Sequence, residues 1–241
     1  MSGPIYFISD LHLDDARPGV TQALEGFLAA RRDAEALYIL GDLFEYWIGD
    51  DDDSALVRRV ANMLRDYSEA GPKLCLMHGN RDFLIGERFA ARVEAELLDD
   101  PTVLEAQGQR LLLMHGDSLC TRDEEYQNFR RMARSASWQQ SVLSQSLEAR
   151  RDMATHLRKV SQDAGSRKAD DIMDVTEREV ERVMREHDCN TLIHGHTHRP
   201  ARHEDRAGTR WVLGDWEQTG WYLELRDGEL TLSEFAISEP A

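Results

Sequence analysis

The sequence predicts an α/β protein with a helical insertion, and three observations predict it. Short apolar runs alternate with stretches of helical periodicity, five of those runs end in a residue able to hold a metal, and between about 123 and 168 the runs stop while helical periodicity continues. A bounded apolar run reads as a buried strand, and in open α/β sheets ligands bind where the carboxyl ends of such strands meet.

In chain order, Ile5-Tyr6-Phe7-Ile8-Ser9 leads into Asp10-Leu11-His12, and Leu37-Tyr38-Ile39-Leu40-Gly41 into Asp42. Leu74-Cys75-Leu76-Met77-His78-Gly79 leads into Asn80-Arg81-Asp82, Leu111-Leu112-Leu113-Met114 into His115-Gly116-Asp117, and Thr191-Leu192-Ile193 into His194-Gly195-His196-Thr197-His198. Helices are expected over 20–33 (Val20, Leu24, Phe27 and Leu28 at helical spacing), 54–70, 83–95 and 176–187. In the insertion, Tyr126, Phe129 and Met132 share one face, as do Leu143, Leu147, Leu157 and Val160, with a break at Ser135–Ser137. Trp211–Trp216 and Trp221–Leu225 read as adjacent strands, followed by a turn at Asp227-Gly228.

At 241 residues with 41% hydrophobic content the chain can bury one full core. No apolar stretch approaches the roughly 20 residues a bilayer span needs, and Met1-Ser2-Gly3-Pro4 enters the first strand without a basic leader, so a cytosolic location is expected. Cys75, Cys120 and Cys189 lack CxxC spacing, against a disulfide framework or zinc ribbon. A net charge of −16 argues against nucleic acid as partner. From Arg122 to Lys168, however, eight Arg and two Lys face six acids, a basic island that suggests an anionic partner there.

The strand ends supply two Asp, one Asn and four His, the inventory of a dinuclear metal site. Asp42, central in the set, suits a bridging carboxylate; Asp10, His12 and His198 would complete one metal, and Asn80, His115 and His196 the other. Alternation in an extended HGHTH segment would bring His196 and His198 to the same side, with His194 a supporting or core residue. Glycines beside the ligands are expected to accept positive φ at sharp turns and to let backbone pass close to the metals. The mixed oxygen and imidazole field suits manganese, iron, cobalt or zinc better than calcium. Two such ions ~3.5–4 Å apart acidify a water and clamp phosphate oxygens, which implies hydrolysis of a phosphoester or phosphoanhydride. Arg81 suits phosphate charge rather than proton donation, and a phosphate monoester with second pKa near ~6 leaves without an acid.

These ordered motifs resemble the calcineurin-like metallophosphoesterases along the whole chain outside the insertion. ISDLHL, LGDLFEYWIGDD, HGNRDFLIG, LLMHGDSLCTRDEEY, HGHTHRP and VLGDW are similar, more narrowly, to the branch of that family that hydrolyses UDP-2,3-diacylglucosamine in lipid A synthesis. The resemblance implies a four-layer sandwich, two mixed sheets flanked by helices, with a core of 1–122 and 169–241 and a helical cap of 123–168 for acyl chains and membrane. It implies two manganese ions on Asp10, His12, Asp42, Asn80, His115, His196 and His198, a peripheral place on the cytoplasmic face of the inner membrane, and an anionic phospholipid surface as partner. Its catalytic residues fall on Asp42, Asn80, Arg81 and His196, and its substrate contacts on Asn80, Arg81, Asp123, Ser161, Lys168 and His196. Gly165 stands where relatives place a contacting side chain. Two other readings share the motifs: hydrolysis of a soluble diadenosine polyphosphate or cyclic nucleotide, and a non-catalytic scaffold. A part-apolar insertion argues against the first and seven intact ligand positions against the second.

Overall fold

Alternate residues of the central strands bury into different cores, which is why these strands are apolar throughout. A computed structural model describes residues 3–165 and 172–238. Strands β1 (Ile5–Ile8), β2 (Ala36–Leu40), β3 (Lys73–Met77) and β4 (Ala95–Leu98) run parallel, and β10 (Thr219–Arg226) and β11 (Glu229–Ala236) extend them antiparallel in the order β11-β10-β1-β2-β3-β4. The second sheet is β5-β6-β7-β9-β8, from β5 (Thr102–Ala106), β6 (Gln109–Leu113), β7 (Thr191–His194), β8 (Ala201–Asp205) and β9 (Gly208–Val212). Both sheets are mixed.

Ile5, Phe7, Tyr38, Leu40, Cys75 and Met77 face Leu111, Leu113 and Ile193 across the inter-sheet core. Tyr6, Ile8, Leu37, Ile39, Leu74 and Leu76 point the other way, under α1 (Pro18–Ala29), α2 (Ala55–Glu69) and α3 (Glu87–Arg92). Leu112, Met114 and Leu192 bury beneath α7 (Glu177–Glu186). The layers are helix, sheet, sheet, helix, as the resemblance implies.

Between β6 and α7 come a 3-10 turn and three helices, α4 (Glu124–Ala133), α5 (Ala136–Leu143) and α6 (Leu147–Gly165). Asp123 caps α4 by accepting from the amide of Tyr126, and Ser135, at the expected break, caps α5.

Two expectations fail. The helix over 83–95 shrinks to Glu87–Arg92, and Ala95–Leu98 pairs with β3 as an edge strand. Trp211–Trp216 and Trp221–Leu225 are not neighbours: β9 pairs with β7 and β8, while β10 lies in the other sheet. The link crosses between the sheets, with Gly214 packed so closely under Trp221 that a Cβ there would meet the indole at 2.4 Å. The Asp227-Gly228 turn does form, both residues at positive φ, joining β10 to β11.

Candidate metal centre and substrate cleft

The loops leaving β1, β2 and β3 are sewn together by backbone. Asp10 N donates to Gly41 O (3.1 Å), His12 N to Asp42 O (3.0 Å) and Leu13 N to Leu43 O (2.9 Å). Asp82, fully buried, accepts from the amides of Gly79 (2.8 Å), Leu43 (2.7 Å) and Asp42 (3.3 Å). Asp82 therefore ties the β2 and β3 loops together rather than pairing with Arg81. The β7 loop joins through Gly195 N on His115 O (2.9 Å) and His196 N on Asp10 Oδ2 (2.9 Å).

The backbone is strained at the candidate ligands themselves. Asp10, His12, Asp42, His196 and His198 all have φ between 49° and 68°, a left-handed region uncommon for non-glycine residues, although Asp and His enter it more readily than most. Of the two roles expected of the glycines, Gly41 and Gly116 take positive φ, whereas Gly79 and Gly195 serve the close approach alone. A Cβ on Gly79 would meet Asp42 Oδ1 at 2.0 Å, and one on Gly195 would meet Asp10 Oδ2 at 2.2 Å. Their role is close approach. Likewise His196 and His198 reach the cluster through left-handed turns rather than extended alternation. His194, fully buried behind them, bonds Gly195 O (2.8 Å) and faces Arg210 (3.4 Å); burial and Arg210 hold its pKa down to about 3.

All seven expected ligands come together. Asp10 Oδ1, His12 Nε2 and His198 Nε2 lie 3.9, 3.3 and 3.2 Å apart. Donors bound at about 2.1 Å to one ion sit roughly 3–3.5 Å from one another, so this triangle fits a cation. Asp42 faces both halves: Oδ2 is 3.8 Å from His12 Nδ1, and Oδ1 is 3.8 Å from His115 Nε2. Asn80 Oδ1 stands 2.8 Å from both His115 Nε2 and His196 Nδ1. Asp10 Oδ1 is buried without a hydrogen-bond partner, an orphaned donor atom that a bound ion satisfies. Burial, countered by His115 and Arg81, pushes Asp42 up to about 7. For His115 burial opposes charge, but Asp42 and Asp10 outweigh it and lift the pKa to about 9. Buried carboxylates crowded this closely call for cations.

A cleft of about 590 Å³ opens from this cluster, within the range of small-molecule sites. Its floor holds Asp42, Asn80, Arg81, His196 and His198, and Asp123 and Ser161 also line it. Its far wall is apolar: Phe83 and Leu84 from the core face Trp138, Val142, Met153 and Leu157 from α5 and α6. Of the stripe expected in the insertion, Leu157 and Val160 line the cleft; Leu143 is instead 43% exposed and Leu147 does not reach it. Gly165 ends α6, and Lys168 lies outside the described residues.

Sequence reasoning missed the polar frame of the cleft. Glu45 takes Arg81 and Arg158 together. Asp117, fully buried, accepts from Arg130 Nε (2.8 Å) and from the hydroxyl of Tyr126, whose ring stacks on His196. The basic island is correspondingly engaged by acids: Arg150 forks onto Asp51, Arg151 lies 3.8 Å from Asp52, and Arg158 holds Glu45.

Carboxylates, imidazoles and an amide on the strand ends of a two-sheet α/β sandwich are the arrangement of a metal-dependent phosphoesterase. The family model for calcineurin-like phosphoesterases matches residues 3–200. A UDP-2,3-diacylglucosamine hydrolase of Chromohalobacter salexigens is 52% identical over 241 residues, covering 97% of this chain and 98% of that protein. One of Cellvibrio japonicus is 49% identical over 96% of this chain and 98% of its own, and one of Pseudomonas aeruginosa 51% identical over 92% and 94%. The chain belongs to the calcineurin-like phosphoesterases and, within them, to the UDP-2,3-diacylglucosamine hydrolases. That superfamily binds a dinuclear metal centre. An archaeal phosphodiesterase (TM-score 0.50, 14% identity, 97% of this chain and 99% of that one) shares the fold. So does protein PH1004 of Pyrococcus horikoshii (0.52, 10%, 98% and 89%).

Proposed function

We propose that this chain hydrolyses the pyrophosphate bond of UDP-2,3-diacylglucosamine, releasing UMP and leaving 2,3-diacylglucosamine 1-phosphate. The observation that carries the reading is one cleft joining the carboxylate–imidazole cluster and Arg81 to an apolar wall. A soluble nucleotide has no use for that wall.

Asp10, His12 and His198 would hold one ion and Asn80, His115 and His196 the other, with Asp42 between them. Manganese is the ion we propose, on the mixed oxygen and nitrogen donors. When bound, the pair supplies Lewis acidity that neutralises phosphate charge and acidifies a water. Arg81 reaches the cleft beside Asp42 and spreads charge on the phosphate oxygens, so no side-chain acid is needed for a phosphate leaving group. His196, stacked under Tyr126 at the floor of the cleft, is the further residue proposed to contact the phosphate. Asp123, Ser161 and the α6 end at Gly165, with Lys168 beyond it, are the proposed contacts to the nucleotide-sugar. Phe83, Leu84, Met153 and Leu157 take the acyl chains, each buried CH₂ contributing ~0.8 kcal/mol.

Residues 123–168 act in this reading as a cap over the 1–122 and 169–241 core. No helix among the described residues is long and apolar enough to cross a membrane. We propose that the chain meets its acylated substrate peripherally, on the cytoplasmic face of the inner membrane, through the exposed side of the cap. Met132, Leu143 and Val160, 49%, 43% and 50% exposed on the cap, support contact with an anionic lipid surface.

The test is metal analysis of purified protein beside hydrolysis of UDP-2,3-diacylglucosamine and of a soluble nucleotide panel. Metal-dependent turnover of the acylated substrate, well above that of diadenosine polyphosphates or cyclic nucleotides, is expected. Equal or faster turnover of the soluble compounds refutes the reading.

A further inference from the structure

Glu45 is a single carboxylate on which three arginines from three parts of the chain converge. Arg81, from the loop after β3, and Arg158, from α6, both bond it, and Arg17 Nη2 lies 3.5 Å from Oε2. Glu45, Arg81 and Arg158 all line the cleft beside the metal cluster. Glu45 is held by backbone on both sides: its amide donates to Leu13 O (3.1 Å), and that of Trp47 donates to Arg81 O (3.1 Å). The Glu45 side chain is only 13% exposed, so these pairs are poorly screened.

We propose that Glu45 is a positioning residue that aims Arg81 and Arg158 as a two-pronged clamp for the substrate's diphosphate. Two guanidiniums repel one another across an open cleft, and a carboxylate between them removes that cost. Glu45 also restrains Arg81. The Nε of Arg81 lies 3.5 Å from Asp42 Oδ2, and without a second carboxylate its whole guanidinium would fold onto the acids that hold the cations. With three guanidiniums on one carboxylate, positive charge stays in excess, so the cluster still attracts an anion. A diphosphate fits two forks better than a monoester does. Because Arg158 is 113 positions along the chain from Glu45, the same contact fastens the cap to the core at the phosphate end of the cleft.

This inference rests on the proposed diphosphate substrate, and a double-mutant cycle tests it. Glu45→Gln, Arg158→Gln and the double variant, each manganese-loaded, are compared in steady-state kinetics on UDP-2,3-diacylglucosamine and in calorimetric binding of UDP. Each single change should raise KM and weaken UDP binding about tenfold, with kcat falling less. The double variant should lose less than the product of the singles, since the pair acts as one unit. Glu45→Asp should recover part of the loss, and decides the matter in the same cycle if Glu45→Gln does not fold. Multiplicative losses, or singles that leave UDP affinity unchanged, overturn the proposal. The two failures separate: a wild-type protein inactive on the acylated substrate refutes the proposed function, while coupled losses in UDP affinity still uphold the clamp.

Discussion

The floor of the cleft and its far wall are built by different means. The floor is fixed by main chain: backbone hydrogen bonds join the β1, β2, β3 and β7 loops, five candidate ligands sit at positive φ, and Asp82 takes three amides. The wall is fixed by side chains, through Arg150 on Asp51, Arg158 on Glu45 and apolar contacts of helices otherwise half-exposed. Strained main chain holds charged groups in a single arrangement, which metal chemistry requires. A few side-chain contacts between helices leave more freedom than a continuous main-chain network, which suits a wall that receives flexible chains. Changes to the floor should therefore abolish turnover, and changes to the wall should alter affinity.

The largest break in that comparison is Asp42→Ala. Losing the carboxylate that faces both halves of the cluster should cut turnover by at least ~10³ and lower metal content, as measured by elemental analysis beside initial rates. Activity within tenfold of wild type sinks the two-ion reading.

Next comes Arg81, which belongs to the floor yet reaches toward the cap through Glu45. Arg81→Ala should cost ~2–4 kcal/mol in kcat/KM, and Arg81→Lys should keep part of the activity. An alanine variant at wild-type rate rejects its phosphate role.

A smaller effect separates wall from floor. Met153→Ser with Leu157→Ser should raise KM for the diacylated substrate by roughly 10- to 100-fold, because two apolar side chains no longer cover the acyl groups. Kinetics on a deacylated UDP-sugar should barely change. Equal impairment on both substrates would mean that these side chains only pack the cap.

The smallest is Arg150→Ala. Its guanidinium, 4% exposed, bonds Ile48 O and Asp51, so loss should destabilise by about 1–2 kcal/mol and lower Tm by a few degrees. Binding to anionic vesicles should be unaffected, because this arginine faces the core. A drop in co-sedimentation would show instead that it meets lipid.

Five strands and the residues that end them were legible in the sequence. A strand buried on both faces must be apolar throughout, and a short apolar run followed by His or Asp stands out in any single chain. Membership of the family followed from the same motifs. What escaped was non-local. Ala95–Leu98 was hidden because a four-residue edge strand carries too little pattern against the preceding helix. Local alternation in β9 and β10 does not say which sheet each joins. The positive φ of Asp10, His12, Asp42, His196 and His198 is tolerated by Asp and His but not dictated by them, because loop pairing imposes it. Likewise the basic island reads by itself as a surface seeking an anion, whereas Arg150 and Arg158 find acids 99 and 113 positions away. The sequence by itself determined the strands, the donor atoms and hence the class of chemistry, since burial and ligand chemistry are written residue by residue. Only tertiary structure decided how those donors face one another, which arginines meet Glu45 and which cap residues reach the cleft, because each is a distance between segments far apart along the chain.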